Sequence, residues 1–451
     1  MTLLEETVTR YHRLLDGEPF KDLSWAHQLQ DQMRAKNLAP GGRLVCPVLR
    51  PHLITRRQYS ASVKAAESLY SAIDRVRKAA LANPAVLSRM ELLPAEKMLA
   101  AIDPGYPYLA VSSQLDTQLN NGSMHFLEMS STSPSGVAYS EVLSDLFYDA
   151  PPVKALRKRV KLARLGGSKH LLKALLNAYK ISGQKKYPRI AILECRQPFQ
   201  ASPSAEHTLL AECFRRAGYP TEVVTPEQLE YRAGLLRRGD FSIDIIYRRV
   251  SAQELLVRFD LGHALVRAYR DGAICLVNSF QAELANKKAI FALLTDESIT
   301  SGFPAEERKA IRDHIPWTRV VAATKATLHG EVVDLPQYIL THREKLVLRP
   351  NDASTDQHEY RGLEMDQTGW ERALRAALRH PYVVQEQVEQ TRALFPMLQA
   401  GRLSLREMQV DLRQQVYLGK VNGCASWLSE ATSSGFSSLT GLTPTFIVEG
   451  K

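Results

Sequence analysis

The chain has 451 residues, 45% apolar and 24% charged, with a formal net charge of +10. That length exceeds one hydrophobic core, so two or three subdomains are expected, and the apolar and charged fractions are those of a soluble globular protein. No apolar run approaches the roughly 18 residues of a membrane helix, and the five scattered cysteines contain no CxxC pair, which excludes a zinc ribbon or a disulfide framework.

Residues 1–105 are expected to form a mostly helical region. "SASVKAAESLYSAIDRVRKAALA" is a long amphipathic pattern, and "PAEKMLAAI" places Pro in a first helical turn. "RLVCPVLRPHLI" is more strand-like. The N-terminal "MTLLEETVTRYHRLLDG" mixes acids and bases among its apolar positions, so it does not read as a signal peptide, and a cytoplasmic enzyme is the expected class.

Residues 106–187 hold a hairpin and a basic segment. "YLAVSSQLDTQL" and "SMHFLEMSS" flank Asn120-Asn121-Gly122, a strong turn signal. From Pro151 to Arg189 there are twelve Lys or Arg and no acid, so the rest of the chain carries about −2. Leu156, Val160, Leu162 and Leu165, then Leu171, Leu172, Leu175 and Leu176, recur at helical spacing. Two basic amphipathic helices around Gly166-Gly167 are expected. Only Tyr179 and Tyr187 stand among the charges, fewer aromatic residues than a single-strand nucleic-acid binder requires. A solvated helix face is therefore preferred to a nucleic-acid or lipid surface.

Residues 188–285 read as α/β with a Rossmann-like subdomain. "RIAIL", "TEVVT", "FSIDIIYRRV" and "AICLVNS" are strands, and "SAEHTLLAECFRRAGY" is a helix between the first two. "ELANKKAIFALLTDE" is expected as one helix. Residues 286–451 alternate again: "EKLVLRP" strand, "TGWERALRAALRH" helix, "PYVVQEQVE" strand, then a Gly/Ser-rich antiparallel tail.

Asp116 and Glu128 lie on the two arms of the hairpin. A two-residue Asn121-Gly122 loop pairs Asp116 with Leu127 and sends the two acids to opposite faces. A three-residue loop pairs Gln114 with Glu128 and Asp116 with Phe126, and then Gln114, Asp116, Glu128 and Ser130 share one face. The two acids become diagonal neighbours roughly 7–8 Å apart. Two carboxylates so placed suit Mg²⁺, which takes hard oxygen ligands, phosphate and water. Two ordinary strand acids facing solvent are the alternative.

"QLDTQLNNGSMHFLEMSSTSPSG" resembles the metal-binding stretch of the circularly permuted ATP-grasp enzymes, the glutathionylspermidine synthase-like group. In that family Arg-x-Asp is followed by a hairpin and then Glu-x-Asn, commonly continuing into Pro-x-Gly. Asp116, Glu128, Pro134 and Gly136 match. The resemblance implies that Asp116, Glu128 and Ser130 hold Mg²⁺. It continues through "AICLVNSFQAELANKKAIFALL", where Lys287, or Lys288 beside it, would reach nucleotide phosphate. Arg349 of "EKLVLRPNDAS" would be the second nucleotide cation, and Gln385 and Glu386 would line the adenine pocket. Asp411 in the tail would be a further metal ligand.

The sequence departs from that pattern in four places. Gln114 stands where the family has Arg, Ser130 where it has Asn, and Arg349 where it has Lys; a planar fork is not a point ammonium. After "RPND" the family tends to have a Gly-rich loop over the phosphates. This chain has "ASTDQHEYRG", where Asp356 and Glu359 would repel phosphate. Trp427 also occupies a place where an arginine is expected. Gln114 and Arg349 are the catalytic candidates beside the transferring phosphate.

The resemblance implies a circularly permuted ATP-grasp fold and an ATP- and Mg²⁺-dependent carboxylate–amine ligase acting through an acyl phosphate. Its substrates would be small-molecule or peptide carboxylates and amines. The departures favour, as the alternative, a catalytically inactive subunit that recognises a peptide or an active paralogue. No membrane or nucleic-acid partner is expected.

Overall fold

The computed structural model describes residues 2–120, 122–181, 183, 185–196, 200, 202–328, 330–352, 357–430 and 439–450. Among these, eight strands form one sheet drawn from distant parts of the chain. Six run in the order His52–Thr55, Thr440–Glu449, Lys420–Glu430, Arg402–Tyr417, Ser112–Asn120, Ser123–Ser130, while Arg392–Gln399 pairs with Arg402–Tyr417 and Lys161–Arg164 with Thr440–Glu449. The long strand Arg402–Tyr417 pairs with Arg392–Gln399 along its first half and with Ser112–Asn120 along its second. The hairpin therefore sits beside the C-terminal tail although almost 300 residues separate them in sequence. That is the topology of a circularly permuted ATP-grasp fold.

The back of this sheet is closed by the helix Arg56–Ala82. Thr55 and Gln58 form a reciprocal capping box at its start. Ala65, Ala66, Leu69, Ile73, Val76 and Ala80 follow at helical spacing and pack on Leu115, Phe126, Met129 and Val416.

Four parallel strands form the middle sheet among the described residues, in the order Cys275–Val277, Ile245–Arg248, Ile190–Leu193, Thr221–Val224. Ile190–Leu193 is buried throughout, as a strand covered on both faces must be. Leu171, Leu175, Leu210 and Phe214 cover one face, and Leu255, Leu265 and Val266 the other. This is the Rossmann-like subdomain. A third, antiparallel sheet runs Thr318–Val320, Tyr382–Glu386, Leu346–Pro350, Tyr360–Arg361.

Two expectations are corrected. The basic segment does hold a helix on each side of Gly166-Gly167, but a strand stands between them. It is a short helix Pro151–Arg157, a strand Lys161–Arg164 and a helix Ser168–Tyr179. Leu162 is buried while Lys161 and Arg164 are exposed, and pairing with the C-terminal strand, not local periodicity, makes the segment a strand. The second correction concerns "ELANKKAIFALL", which breaks into Glu283–Asn286 and Ala289–Leu294. Lys287 between them is extended, with φ −74° and ψ 130°.

Asn278, at the carboxyl end of Cys275–Val277, ties the middle sheet to the hairpin. Its Oδ1 accepts from Val111 N (2.8 Å) and Ser112 N (3.1 Å), and its Nδ2 donates to Ser112 O and Ser131 O (both 2.5 Å). One amide thus holds both feet of the hairpin. Asn278→Ala would leave those four backbone groups buried and unpaired. We expect it to destabilise the protein by about 3 kcal/mol or more, read as a shift of the urea midpoint; a loss under ~1 kcal/mol would show that the clasp is dispensable.

Candidate active site

The hairpin register differs from both turn geometries considered from the sequence. Asn120 pairs with Ser123, so the loop has two residues, but a bulge follows between Asp116 and Thr117 on one arm, with Leu127 as the extra residue opposite. The correction is that Asp116 faces Glu128 directly and Gln114 faces Ser130. Direct cross-strand neighbours have Cβ atoms about 5 Å apart. The bulge puts the four residues on one face where an unbroken two-residue hairpin would have divided them. Asn121 lies outside the described residues, as does Asp356.

Glu128 is the point of convergence. Lys288 Nζ and Arg349 Nη2 each lie 3.2 Å from its Oε2. Burial alone would raise the Glu128 pKa, but Lys288 and Arg349 outweigh it and hold the carboxyl well below the usual range. Arg349 Nη1 also donates to Leu127 O at 2.9 Å, which stitches the small sheet to the bulge itself. Its Nε donates to Glu359 Oε2 at 2.8 Å.

Asp116 behaves differently. Its Oδ2 lies 3.1 Å from Arg413 Nε. Its Oδ1 is buried and has no hydrogen-bond partner among the described residues. Burial pushes its pKa up to about 7; Arg413 opposes the rise, and Glu128 and Asp411 reinforce it. Asp411, which accepts from Gln118, is raised for the same reason. An orphaned carboxylate oxygen beside a second carboxylate is a donor set that a hard divalent cation satisfies. Two carboxylates with phosphate and water are what Mg²⁺ commonly uses, and Asp116 and Glu128 fit it. Ser130 lies two residues beyond Glu128 on the same strand. Among the described residues no group of three or more His, Cys, Asp or Glu is placed to hold a metal ion.

The two lysines part company at the helix break. Lys287 turns away and pairs with Glu96 Oε1 (2.7 Å) and with Asp352, nearly fully buried. Lys288 turns to Glu128. Its backbone N donates to Asn351 O, and Asn351 Oδ1 accepts from Ala289 N, so the residues after Arg349 fix the break. The structure thus brings Lys288 into the site and leaves Lys287 as a buried clamp.

Gln114 sits beside the pair, but both ends of its amide are engaged with the backbone of Ser135, at 2.6 Å and 3.2 Å. It holds the loop that follows the hairpin. Gln385 is buried between Thr318 Oγ1 (3.0 Å) and Arg349 (3.3 Å). Glu386 accepts from Trp317 N at 3.2 Å. Glu386 also lines a cavity of about 1460 Å³, together with His125, Trp317, Arg319, Lys345 and Gln387 among others.

Arg413 was missed from the sequence. Its signal was present: Asp411, Arg413 and Gln415 alternate along a strand that is otherwise buried. Its guanidinium stacks on Trp427 at 4.6 Å from the ring centroid. The cation expected at Trp427 is therefore supplied by the neighbouring strand.

The fold and this convergence of hairpin acids with cations from a second lobe define an ATP-grasp protein in permuted order. The family described as circularly permuted ATP-grasp type 2 matches residues 61–426, and the chain belongs to it. Among solved structures, the chain is similar to a glutathione synthetase-like effector from Globodera pallida. Identity is 11%, coverage 94% of this chain and 97% of that one, and the TM-score 0.55. A putative gamma-glutamylcysteine synthetase from Methylobacillus flagellatus matches with 11% identity, coverage of 87% and 89%, and a TM-score of 0.43. A RimK-domain ATP-grasp protein from Sphaerobacter thermophilus shares 17% identity over 56% of this chain and 90% of its own, with a TM-score of 0.28. No curated protein matches the sequence. No helix among the described residues is long and apolar enough to cross a membrane.

The two lysines should separate in a stability measurement. Lys287→Met leaves Glu96 buried without its cation and should cost about 3–5 kcal/mol. Lys288→Met leaves the buried Glu128 still paired with Arg349 and should cost less, about 1.5–3 kcal/mol. Equal losses in urea denaturation would contradict the division of roles.

Proposed function

We propose that this protein is an ATP- and Mg²⁺-dependent carboxylate–amine ligase. The observation that carries the reading is Asp116 facing Glu128 across the bulge, with Lys288 and Arg349 converging on Glu128 from other parts of the chain. In such a ligase a substrate carboxylate takes the γ-phosphoryl group of ATP to become an acyl phosphate, and an amine then displaces phosphate to leave an amide. The substrates are small-molecule or peptide acids and amines.

Phosphoryl transfer depends on positioning and charge rather than on a covalent protein nucleophile. Asp116 and Glu128, with Ser130 as a third oxygen and Asp411 nearby, would hold Mg²⁺. The metal, when bound, neutralises phosphate oxygens. Lys288 and Arg349 would receive phosphate oxygens once Glu128 turns to the metal. Gln385 holds Arg349 in place from behind, and Glu386 lines the large cavity, where the base would sit. Gln114 keeps the Ser135 loop against the reacting centre, a positioning role.

One observation favours a second reading, a catalytically inactive binding subunit for a peptide or an active paralogue. Lys288, Arg349 and Arg413 are all already paired with acids of this chain. A cleft balanced by its own side chains has less need of ligand charge. ATP-dependent phosphate release separates the two readings. The ligase reading expects turnover that falls at least ~10²-fold in Glu128→Gln, in a variant shown to be folded by circular dichroism. Turnover unaffected by that substitution overturns the site; no turnover in the folded wild type with varied acids and amines favours the inactive subunit.

A further inference from the structure

Glu359 occupies an unusual position. Its Oε2 accepts from Arg349 Nε at 2.8 Å, and its Oε1 lies 2.8 Å from Arg361 Nη2. Each carboxylate oxygen is thus held by a different guanidinium. The contact is built by register, not by a wandering side chain. Leu348 pairs with Tyr360 and Val347 with Arg361, so continuing the antiparallel ladder puts residue 359 opposite Arg349. Partial desolvation under the neighbouring side chains would raise the Glu359 pKa, but Arg349, Arg361 and Lys288 hold it below the usual range, so the exposed side chain is an anion.

A carboxylate in an arginine fork makes the contacts that a phosphate makes there. Arg349 has its Nη2 on Glu128 and its Nε on Glu359, and Lys288 lies on the far side of Glu128. Glu128 would be drawn off by a metal. Release of Glu359 from the two arginines needs another anion to take its place.

We propose that Glu359 is a built-in competitor, an internal anion standing where a phosphate group of the ligand must bind. It sets a threshold: a polyphosphate, with several charges at once, displaces it, whereas a single weak anion does not. Glu359 is in this sense a specificity-determining residue of the cleft. The inference deepens the ligase reading, since it rests on Arg349 being the phosphate-receiving cation.

Inorganic tripolyphosphate is the direct probe, because it tests the cation cluster without nucleotide or turnover. Binding is measured by calorimetry at fixed ionic strength, for the wild type, Glu359→Gln and Glu359→Ala. Removing the competing charge should tighten tripolyphosphate binding roughly tenfold to a hundredfold in both variants. Binding unchanged or weaker in a folded variant overturns the proposal. So does failure of both variants to fold, since Glu359 would then be a structural partner of the two arginines. The two readings can fail separately. Tighter tripolyphosphate binding without any ATP turnover keeps the competitor and removes the ligase; ATP turnover with unaltered tripolyphosphate binding does the reverse.

Discussion

The contact between Glu128 and its two cations organises the site. Three segments meet there: the hairpin, the helix break at Lys288 and the strand that ends in Arg349-Pro350. A buried carboxylate is tolerated only when it is paired and hydrogen-bonded. The two cations meet that demand, and in doing so they pin the small antiparallel sheet to the large one. Arg349 strengthens the link through Leu127 O, the carbonyl that the bulge turns outward. The bulge, the ion contact and the approach of the two lobes are therefore one arrangement.

Around that contact, polar side chains act as clamps. Asn278 holds the feet of the hairpin, Gln114 holds the loop after it, and Lys287 with Glu96 and Asp352 holds the base of Lys288. All are buried with their groups engaged, as interior polar groups normally are. Among the described residues, the buried polar atoms without partners include Asp116 Oδ1, Gln415 Oε1 and Tyr417 OH. Arg413 pairs with Asp116, Gln415 with Gln114 and Tyr417 with Ser112 across the same ladder, so these atoms follow one polar stripe along the sheet. A stripe of unsatisfied acceptors and a raised carboxyl is ill suited to pure scaffolding and well suited to receiving a cation and a polar substrate.

Much of this was legible in the sequence. The hairpin, the long N-terminal helix and the parallel strands announced themselves through period and turn residues, because each buries its apolar face in a regular way. Asp116, Glu128 and Arg349 were found together because their spacing and order resemble a family pattern. What escaped was whatever depends on a local break in regularity. A bulge leaves no periodic trace, so the two-residue loop put Asp116 one residue away from its partner Glu128 and the three-residue loop two residues away. The break at Lys287 follows from Asn351 and Asp352, more than 60 residues later, and helical periodicity could not separate the two lysines. The strand Lys161–Arg164 was hidden because leucines spaced for a helix continue through four residues that pair with the tail instead. Arg413 was overlooked because a cation was sought at the position of Trp427, one strand away.

The central claim is that this cleft receives a nucleotide polyphosphate together with Mg²⁺. Calorimetric titration of ATP into the wild-type chain, with and without Mg²⁺, addresses it most directly. The account predicts one ATP per chain at micromolar affinity, and binding that weakens sharply when Mg²⁺ is withheld. No detectable binding in the presence of Mg²⁺, by a chain that remains folded, would contradict it.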